Sequence, residues 1–495
     1  MQLYLRRKNN SRGDFISLRL LSMTMKRWKS CGQSFRNNDR ISELPEALLL
    51  EILSLLPTKD VRAASVLSKR WRSLWKMVPR LEFDERMFSD NISRCLLSHQ
   101  APVLQSLHLE MNSDVFSNMV IGILVGIAFG LHVRELVLYV YGSQELFRFP
   151  FSLCNCESLE TLILGQNIII DVPSPVCLNS LRTLDLDGVG YKDDESVFNL
   201  LSGCISLENL VVHRLEQADV KTFTIAVPSL QRLTLTAEND DEDSVYVINA
   251  PSLKYLKFDG VLDDTCLIEN TPELVEASLR DRGVDDDDDV SDIVFGNILG
   301  SLTSVKRLSL EISASLEIKF PTGSIFSQLV SLELHTYEPE VWNLLSLMLD
   351  SSPILQVLKL IGVSIILCVY LKKNSSSVSG FDDIIYIVFP PRWSQKKYRR
   401  KDPVACMKWN QPKDVPECLL LHLETVVWKN YQGEIEVEKE VAKYILRNTS
   451  RLKKAIFSNA YIRPEKRLER LKELDSVGMA SNSCQLVFKE GDITS

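Results

Sequence analysis

The residue types that do chemistry are all present in this chain, but their spacing does not assemble a reactive site. The six histidines stand at 99, 108, 132, 213, 335 and 422, and no two are spaced to share a metal ion. Gly188-Val-Gly190 follows a strand-like run, as a dinucleotide-binding turn would. The third glycine of that fingerprint is missing, and Asp193-Asp194 would repel a pyrophosphate. A phosphate-cradling Gly-x-x-x-x-Gly-Lys loop, a His-Glu-x-x-His zinc helix and a Gly-x-Ser-x-Gly nucleophile turn are all absent from the sequence. The cysteines number eleven, an odd count, and none has the C-x-x-C spacing that two thiolates need to chelate or exchange. Cys154 and Cys156 alternate, as packing residues beside a turn do. The expectation is a chain with no catalytic, metal-binding or cofactor-binding residues.

The bulk balance points the same way. Lys and Arg total 57 against 65 Asp and Glu, a net charge of −8, which gives no support to a nucleic-acid role. Acid is concentrated at Asp240 to Asp243 and Asp285 to Asp289, runs that read as solvated loops rather than as a partner-binding patch. A composition 45% hydrophobic and 25% charged suits a chain that buries a large core. The longest apolar stretch, Leu360 to Leu371, is shorter than the roughly 20 residues a bilayer span requires. It reads as a buried element of a soluble protein. With no secretory signal visible, the thiols are expected to be reduced and intracellular.

The elements that could position a binding surface are easier to read. From Asp39 the chain runs into a helix-start signal, with Pro45 suited to a first turn and Glu46 and Glu51 to the positive end of the helix dipole. Leu48, Ile52 and Leu55 share one face at helical spacing, and Leu49, Leu53 and Leu56 widen the stripe. Pro57 ends this helix, and Thr58 is placed to cap a second one bearing Val61 and Ala64. Ser68 is placed to cap a third, Lys69 to Trp75, which gathers Trp71, Leu74 and Trp75. Three short helices carrying this much apolar surface make a poor isolated core, so some of the side chains await a partner.

The pattern Leu44-Pro45, Ile52-Leu53, Leu56-Pro57, Asp60, Val66-Leu67-Ser68-Lys69-Arg70-Trp71 and Leu74-Trp75 resembles a plant F-box across the whole module. That resemblance implies docking onto a Skp-type adaptor and, through it, a cullin–RING scaffold. The docking residues it implies are Leu44, Pro45, Ile52, Leu53, Leu56, Pro57, Val66, Leu67 and Trp71, with Leu74 and Trp75 holding the helices together. It also implies residence in the nucleus or cytoplasm. The 38 residues before the module carry Arg6, Arg7, Lys8, Arg12, Arg19, Lys26, Arg27, Lys29 and Arg36 against the single acid Asp14. That composition is similar to an organellar transit peptide. The reading preferred here is a disordered basic tail, or a start upstream of Met23 or Met25.

A second regularity begins at Leu104. The motif L-x-x-L-x-L recurs as Leu104-Leu107-Leu109, Leu159-Leu162-Leu164, Leu181-Leu184-Leu186, Leu230-Leu233-Leu235, Leu329-Leu332-Leu334 and Leu355-Leu358-Leu360. Looser copies start at Val133, Leu207, Leu253, Leu274 and Val305. The spacing is that of leucine-rich repeats, in which an alternating L-x-L strand buries one face and neighbouring repeats stack into a solenoid. Val341, Leu345, Met348 and Leu349 predict a helix between two such strands. The openings Pro228-Ser229-Leu230 and Pro251-Ser252-Leu253 resemble those of plant F-box repeat proteins, although the consensus asparagine after the strand is largely missing. Residues between the leucines face the open side of the array. His108, Tyr139, Asp185, His213, Arg232, Lys257, Arg307, Glu333 and His335 are therefore the candidate substrate-facing set, with Glu110, Asp187, Asp259 and Lys359 beside them.

Residues 361–415 break the rhythm and read as an irregular insertion. The pattern resumes with strands at Leu423-Val426-Trp428 and Leu452-Ala455-Phe457, a helical face at Val437, Val441, Tyr444 and Ile445, a helix from Pro464 bearing Leu468, Leu471 and Leu474, and a last strand from Cys484. The run from Pro416-Glu-Cys-Leu-Leu through Gly433-Glu, Leu452-Lys-Lys and Arg467-Leu-Glu to Cys484-Gln-Leu-Val-Phe is similar to the FBD domain of plant F-box proteins. Such a region could close the end of the solenoid. The expected architecture is thus an α/β repeat fold: a basic tail (1–38), a three-helix F-box (39–83), a leucine-rich-repeat solenoid (84–360), the insertion (361–415) and a capping FBD-type β/α region (416–490).

The function this implies is that of a non-catalytic adaptor, holding an unknown target protein on the repeats for a ligase docked at the F-box. Two other readings compete with it. A stand-alone repeat-type binding module would hold its target with no cullin present. A small-molecule receptor would instead be stabilised thermally by its ligand.

Overall fold

Each leucine motif becomes the same small object: a short strand whose leucines point into the protein and whose intervening residues point out. The computed structural model describes residues 44–66, 70–84, 89–142, 145–151, 157–214, 220–237, 245–260, 266–281, 296–312, 325–336, 341–362, 409–433, 435–460 and 462–490. The basic tail, Leu67, Ser68, Lys69, the acidic runs at 240–243 and 285–289, Cys154, Cys156 and most of the 361–415 insertion lie outside the described residues. The chain divides into two units, Met1–Trp75 and Lys76–Ser495.

The first unit contains helices α1 (Glu46–Ser54), α2 (Thr58–Ala64) and α3 (Trp71–Leu74). Pro45 and Pro57 occupy the cap positions of α1 and α2, and neither cap carries a side-chain hydrogen bond. The expectation that Thr58 caps the second helix is therefore corrected. Thr58 is the first helical residue and is buried, because a proline that fixes its own φ starts the turn instead. Arg70 joins the ends of the unit, donating from Nη2 to the Leu44 carbonyl at 2.7 Å and approaching Glu46 at 3.9 Å.

In the second unit, fifteen strands among the described residues form one parallel sheet in chain order. The first is β1 (Arg80–Phe83), which pairs with β2 (Ser106–Asn112) although the sequence pattern groups it with the helices. Strands β3 (Glu135–Tyr141), β5 (Thr161–Gln166), β7 (Thr183–Asp187), β9 (Asn209–Arg214), β11 (Arg232–Ala237), β13 (Tyr255–Gly260) and β15 (Glu276–Asp281) follow. The sheet continues through β16 (Arg307–Glu311), β17 (Ser331–His335) and β18 (Val357–Ile361). The register never slips along this series: Leu107, Leu136, Leu162, Leu184, Leu210, Leu233 and Leu256 stand side by side, each fully buried. Parallel strands need a crossover connection, which here covers the leucine face, while the residues between the leucines stand on the other, more open face.

The covering layer differs from repeat to repeat. It is helical where the connecting sequence has helical period, as in Asn118–Gly130, Asp194–Ser202 and Val341–Ser351. Between the middle repeats it is a second parallel sheet of β10 (Thr222–Ala226), β12 (Val245–Asn249) and β14 (Cys266–Asn270), because Phe223, Ile225, Tyr246 and Ile248 alternate with period two. A similar small sheet joins β4 (Phe147–Arg148), β6 (Ile168–Ile170) and β8 (Gly190–Tyr191). Arg214 lies buried beneath the larger one. Its guanidinium donates to the Tyr246 hydroxyl at 2.8 Å and the Val220 carbonyl at 3.0 Å, and sits over the Phe223 and Tyr246 rings.

The C-terminal region adds to the same sheet. Strand β19 (Thr425–Lys429) pairs with β18 across the insertion, followed by β20 (Lys454–Ser458) and β21 (Gln485–Lys489). Trp428 is completely buried against Trp342, Tyr431 and Phe457, carrying one core through the junction. Trp409 closes the returning chain onto the helix layer: its Nε1 donates to Ser346 at 2.8 Å and its ring meets Tyr444 edge-on. Glu438 fixes the turn before its own helix by accepting from the Gln432 and Gly433 N–H groups at 3.0 and 3.1 Å.

Candidate functional site

Two surfaces offer themselves for binding, one on each unit. On the helical unit the apolar residues sort into opposite faces. Leu49 and Leu53 of α1 are 0% exposed, and Val61, Trp71 and Leu74 complete the core they enter. Leu48, Ile52 and Leu55 form the other face and are 46%, 42% and 81% exposed, while Val66 after α2 is 82% exposed. Leucine and valine left this far in water in so small a unit form a patch that burial against a partner would stabilise.

The residues expected to dock an adaptor are therefore divided. Ile52, Val66 and Pro45 are exposed, and Leu44, Leu56 and Pro57 are half-buried. Leu53 and Trp71 are buried within the unit, and Leu67 lies outside the described residues. Leu48 and Leu55, which the motif comparison leaves out, are among the most available. Their signal was the i, i+4, i+7 stripe itself; periodicity defines the stripe but not which side of a helix a partner will cover.

On the sheet unit, all nine candidate substrate-facing residues lie on the open face, between the buried leucines. His108, Asp185, Lys257 and Glu333 share one register row that crosses the sheet from strand to strand. Tyr139 and His213 belong to the row two residues further along the strands, His335 stands two residues beyond Glu333, and Arg232 and Arg307 belong to the row two residues before. The sheet is wide, so only near neighbours meet.

Three local groups result. At the N-terminal end, His108 packs 6.4 Å from Tyr139, whose ring stacks on Tyr141 and lies over Gly165, where any Cβ would collide with it. Asp185 is flanked in its row by Ile163 and Val211, and burial, followed by repulsion from Asp187, pushes its carboxyl up to about 6. Toward the other end, Glu333 reaches His335 at 3.8 Å and Lys359 at 3.3 Å. The hydrogen bond from His335 is the largest cause holding the Glu333 carboxyl down near about 2, with Lys359 adding to it. Arg280 and His335 extend this ion cluster through Glu311. Between these groups Arg232 lies over the Tyr255 ring and Arg307 pairs with Glu276 at 2.7 Å.

Nothing in this arrangement pairs a nucleophile with a base. Among the described residues no three His, Cys, Asp or Glu side chains converge as metal ligands would, and no helix is long and apolar enough to cross a membrane. Cys177, Cys204, Cys418 and Cys484 are free thiols. Burial pushes the Cys204 and Cys418 thiols up to about 12, the opposite of an activated thiolate.

Comparison with known proteins agrees with that division into parts. An F-box domain family matches residues 41–83, a family described as "FBD-associated F-box protein At5g56370, LRR repeats" matches residues 128–275, and an FBD family matches residues 411–457. The F-box/FBD/LRR-repeat protein At3g26920 of Arabidopsis thaliana is 57% identical over 94% of this chain and 100% of its own length. The putative F-box/FBD/LRR-repeat protein At4g13965 of the same plant is 51% identical over 94% of this chain and 100% of its own. A third, At3g52680, is 49% identical over 95% and 98%.

Proposed function

The chain belongs to the F-box/FBD/LRR-repeat protein family, and from that membership we propose that it is the substrate-recognition subunit of an SCF-type (Skp–cullin–F-box) ubiquitin ligase. F-box domains generally bind Skp-type adaptors, and proteins of this family are typically non-catalytic. The observation that carries the reading is the exposed face of Leu48, Ile52 and Leu55, with Val66 exposed as well, on an otherwise well-packed helical unit. The adaptor covers this face, and the open sheet face holds the target protein.

Catalysis is then positional. The chain supplies no group that attacks or transfers ubiquitin; it holds a target lysine near the charged conjugating enzyme, turning a bimolecular encounter into a local one. The site of action in this reading is the nucleus or cytoplasm, where the adaptor and cullin work.

Co-expression with a Skp-type adaptor tests the docking step. The wild-type chain should retain the adaptor on a pull-down, and the double variant Leu55→Asp/Val66→Asp should lose it while its circular dichroism stays unchanged. Both substitutions fall on exposed side chains, so folding is spared. Equal recovery of adaptor by the two proteins would reject the reading.

A further inference from the structure

The open sheet face is not chemically uniform, and its C-terminal end has a character of its own. Across β19, β20 and β21, Val427, Ile456 and Val487 stand in one register row. All three are only half-buried, where the leucines of the preceding strands are sealed. Neighbouring strands lie about 4.8 Å apart, so the three form a continuous apolar stripe about 10 Å wide. Lys429 and Lys489 stand two residues beyond the stripe, and Lys454 stands two residues before it. These lysines are exposed, and among the described residues none makes an ion pair or a side-chain hydrogen bond. No acid occupies an open-face position on these three strands. The opposite end of the same face carries the reverse sign, with Glu82, Glu110, Asp185 and Asp187 on β1, β2 and β7.

Strand β19 and nearly all of β20 lie in the region the FBD family matches, and β21 follows it; yet β19 pairs with β18 in the same register as the repeats. The FBD segment thus continues the repeat sheet at its C-terminal end. On the outermost strand, Leu486 and Phe488 hold the inward positions of β21 and remain half-exposed.

We propose that the face of β19–β21 is a recognition surface for an extended target segment in which apolar residues alternate with Asp or Glu. An extended segment sends successive side chains to opposite sides, so one lying edge-on along the stripe can turn its apolar residues to the stripe and its carboxylates to a flanking lysine row. Charge complementarity chooses the occupant: three uncompensated ammonium groups favour an acidic segment and repel a basic one. The apolar stripe supplies contact area, and the lysines set which sequences are admitted. The proposal rests on the adaptor reading of the chain and assigns a chemical class to its target.

The test uses the full-length chain in complex with its Skp-type adaptor. It is probed on an array of twelve-residue peptides in which Val, Leu, Ile or Phe alternate with Asp/Glu, Asn/Gln or Lys/Arg. The acidic set should bind roughly tenfold more strongly than the neutral set, and the gap should shrink as salt rises. In Lys429→Glu/Lys454→Glu/Lys489→Glu the preference should move to the basic set. Binding without charge preference, or a preference unchanged by the triple substitution, would overturn the proposal. Adaptor co-elution, read on the same preparations, keeps this outcome separate from the docking reading: a complex that forms but ignores peptide charge refutes only the surface proposed here.

Discussion

Two leucines two residues apart, Leu53 in the last turn of α1 and Leu55 at its C-cap, should answer opposite questions. Leu53 is 0% exposed and Leu55 is 81% exposed. Truncating Leu53 to alanine opens a cavity in the three-helix core, and buried leucine truncations cost about 2–5 kcal/mol. A unit this small has little stability to lose, so Leu53→Ala should largely unfold residues 44–75. Truncating Leu55 removes side chain that already faces water, so the free protein should change by less than about 0.5 kcal/mol. If an adaptor buries Leu55, the contact is lost only in the complex. Full burial of a leucine gives about 1.5–3 kcal/mol, and losing most of it corresponds to a roughly tenfold rise in Kd. Isothermal titration with purified adaptor, paired with hydrogen exchange on the free variants, separates the two effects. The reasoning fails if Leu55→Ala binds with an unchanged Kd, or if Leu53→Ala leaves exchange in the helices as slow as in wild type.

Three further outcomes follow from the packing. Burial pushes the Glu438 carboxyl up to about 7, against the pull of the Gly433 and Gln432 N–H groups and Arg470. Its folded value thus lies above its ordinary 4.5, so its contribution is most favourable below about pH 4.5 and is lost as pH rises through about 7. Glu438→Gln, whose carbonyl can still accept from both N–H groups, should flatten the melting temperature across that window relative to wild type; parallel curves for the two proteins would contradict it. Gly203 sits where an added Cβ would overlap the Val176 carbonyl, a backbone atom that cannot swing aside. Gly203→Ala should therefore destabilise by about 1–3 kcal/mol in denaturant titrations, and an unchanged midpoint would show that the segment around Val176 yields freely. The ion cluster at Glu333 lies on a half-open face, with its carboxyl held near about 2 by His335 and Lys359. Its depressed value makes the contribution present above about pH 4.5 and lost as pH falls toward about 2. Glu333→Gln should weaken the protein at pH 6 more in low salt than in high, and equal loss in both would dismiss an electrostatic role.

Much of this fold was legible because a leucine-rich strand declares itself twice, by period two within the strand and by recurrence along the chain. The C-terminal strands were legible for the same reason, and the helix at Val341–Ser351 by the helical spacing of its apolar residues. The covering layer was harder. Phe223-x-Ile225 and Tyr246-x-Ile248 carry strand period, but each is short and lies between stronger leucine copies that mask it. On the helical unit both faces of Glu46–Ser54 are apolar, so no period could say that Leu49 and Leu53 turn inward while Leu48, Ile52 and Leu55 turn out. That choice is made by Val61, Trp71 and Leu74 from the other helices. The C-terminal region resembled a closing cap, because terminal repeats usually carry a polar outer face. Alternation within each strand fixes the side of the sheet on which the residues between the leucines stand. Their grouping into an aromatic–acidic end, a paired middle and a basic–apolar end depended on strand order, which leucine spacing alone does not reveal.

Hydrogen exchange on the full-length chain, with and without purified Skp-type adaptor, is the most direct measurement of what the helical unit does. Protection should appear in residues 44–66, around Leu48, Ile52, Leu55 and Val66, and leave the fifteen-stranded sheet unchanged. Adaptor that slows exchange only in the sheet, or nowhere at all, would contradict docking through that face.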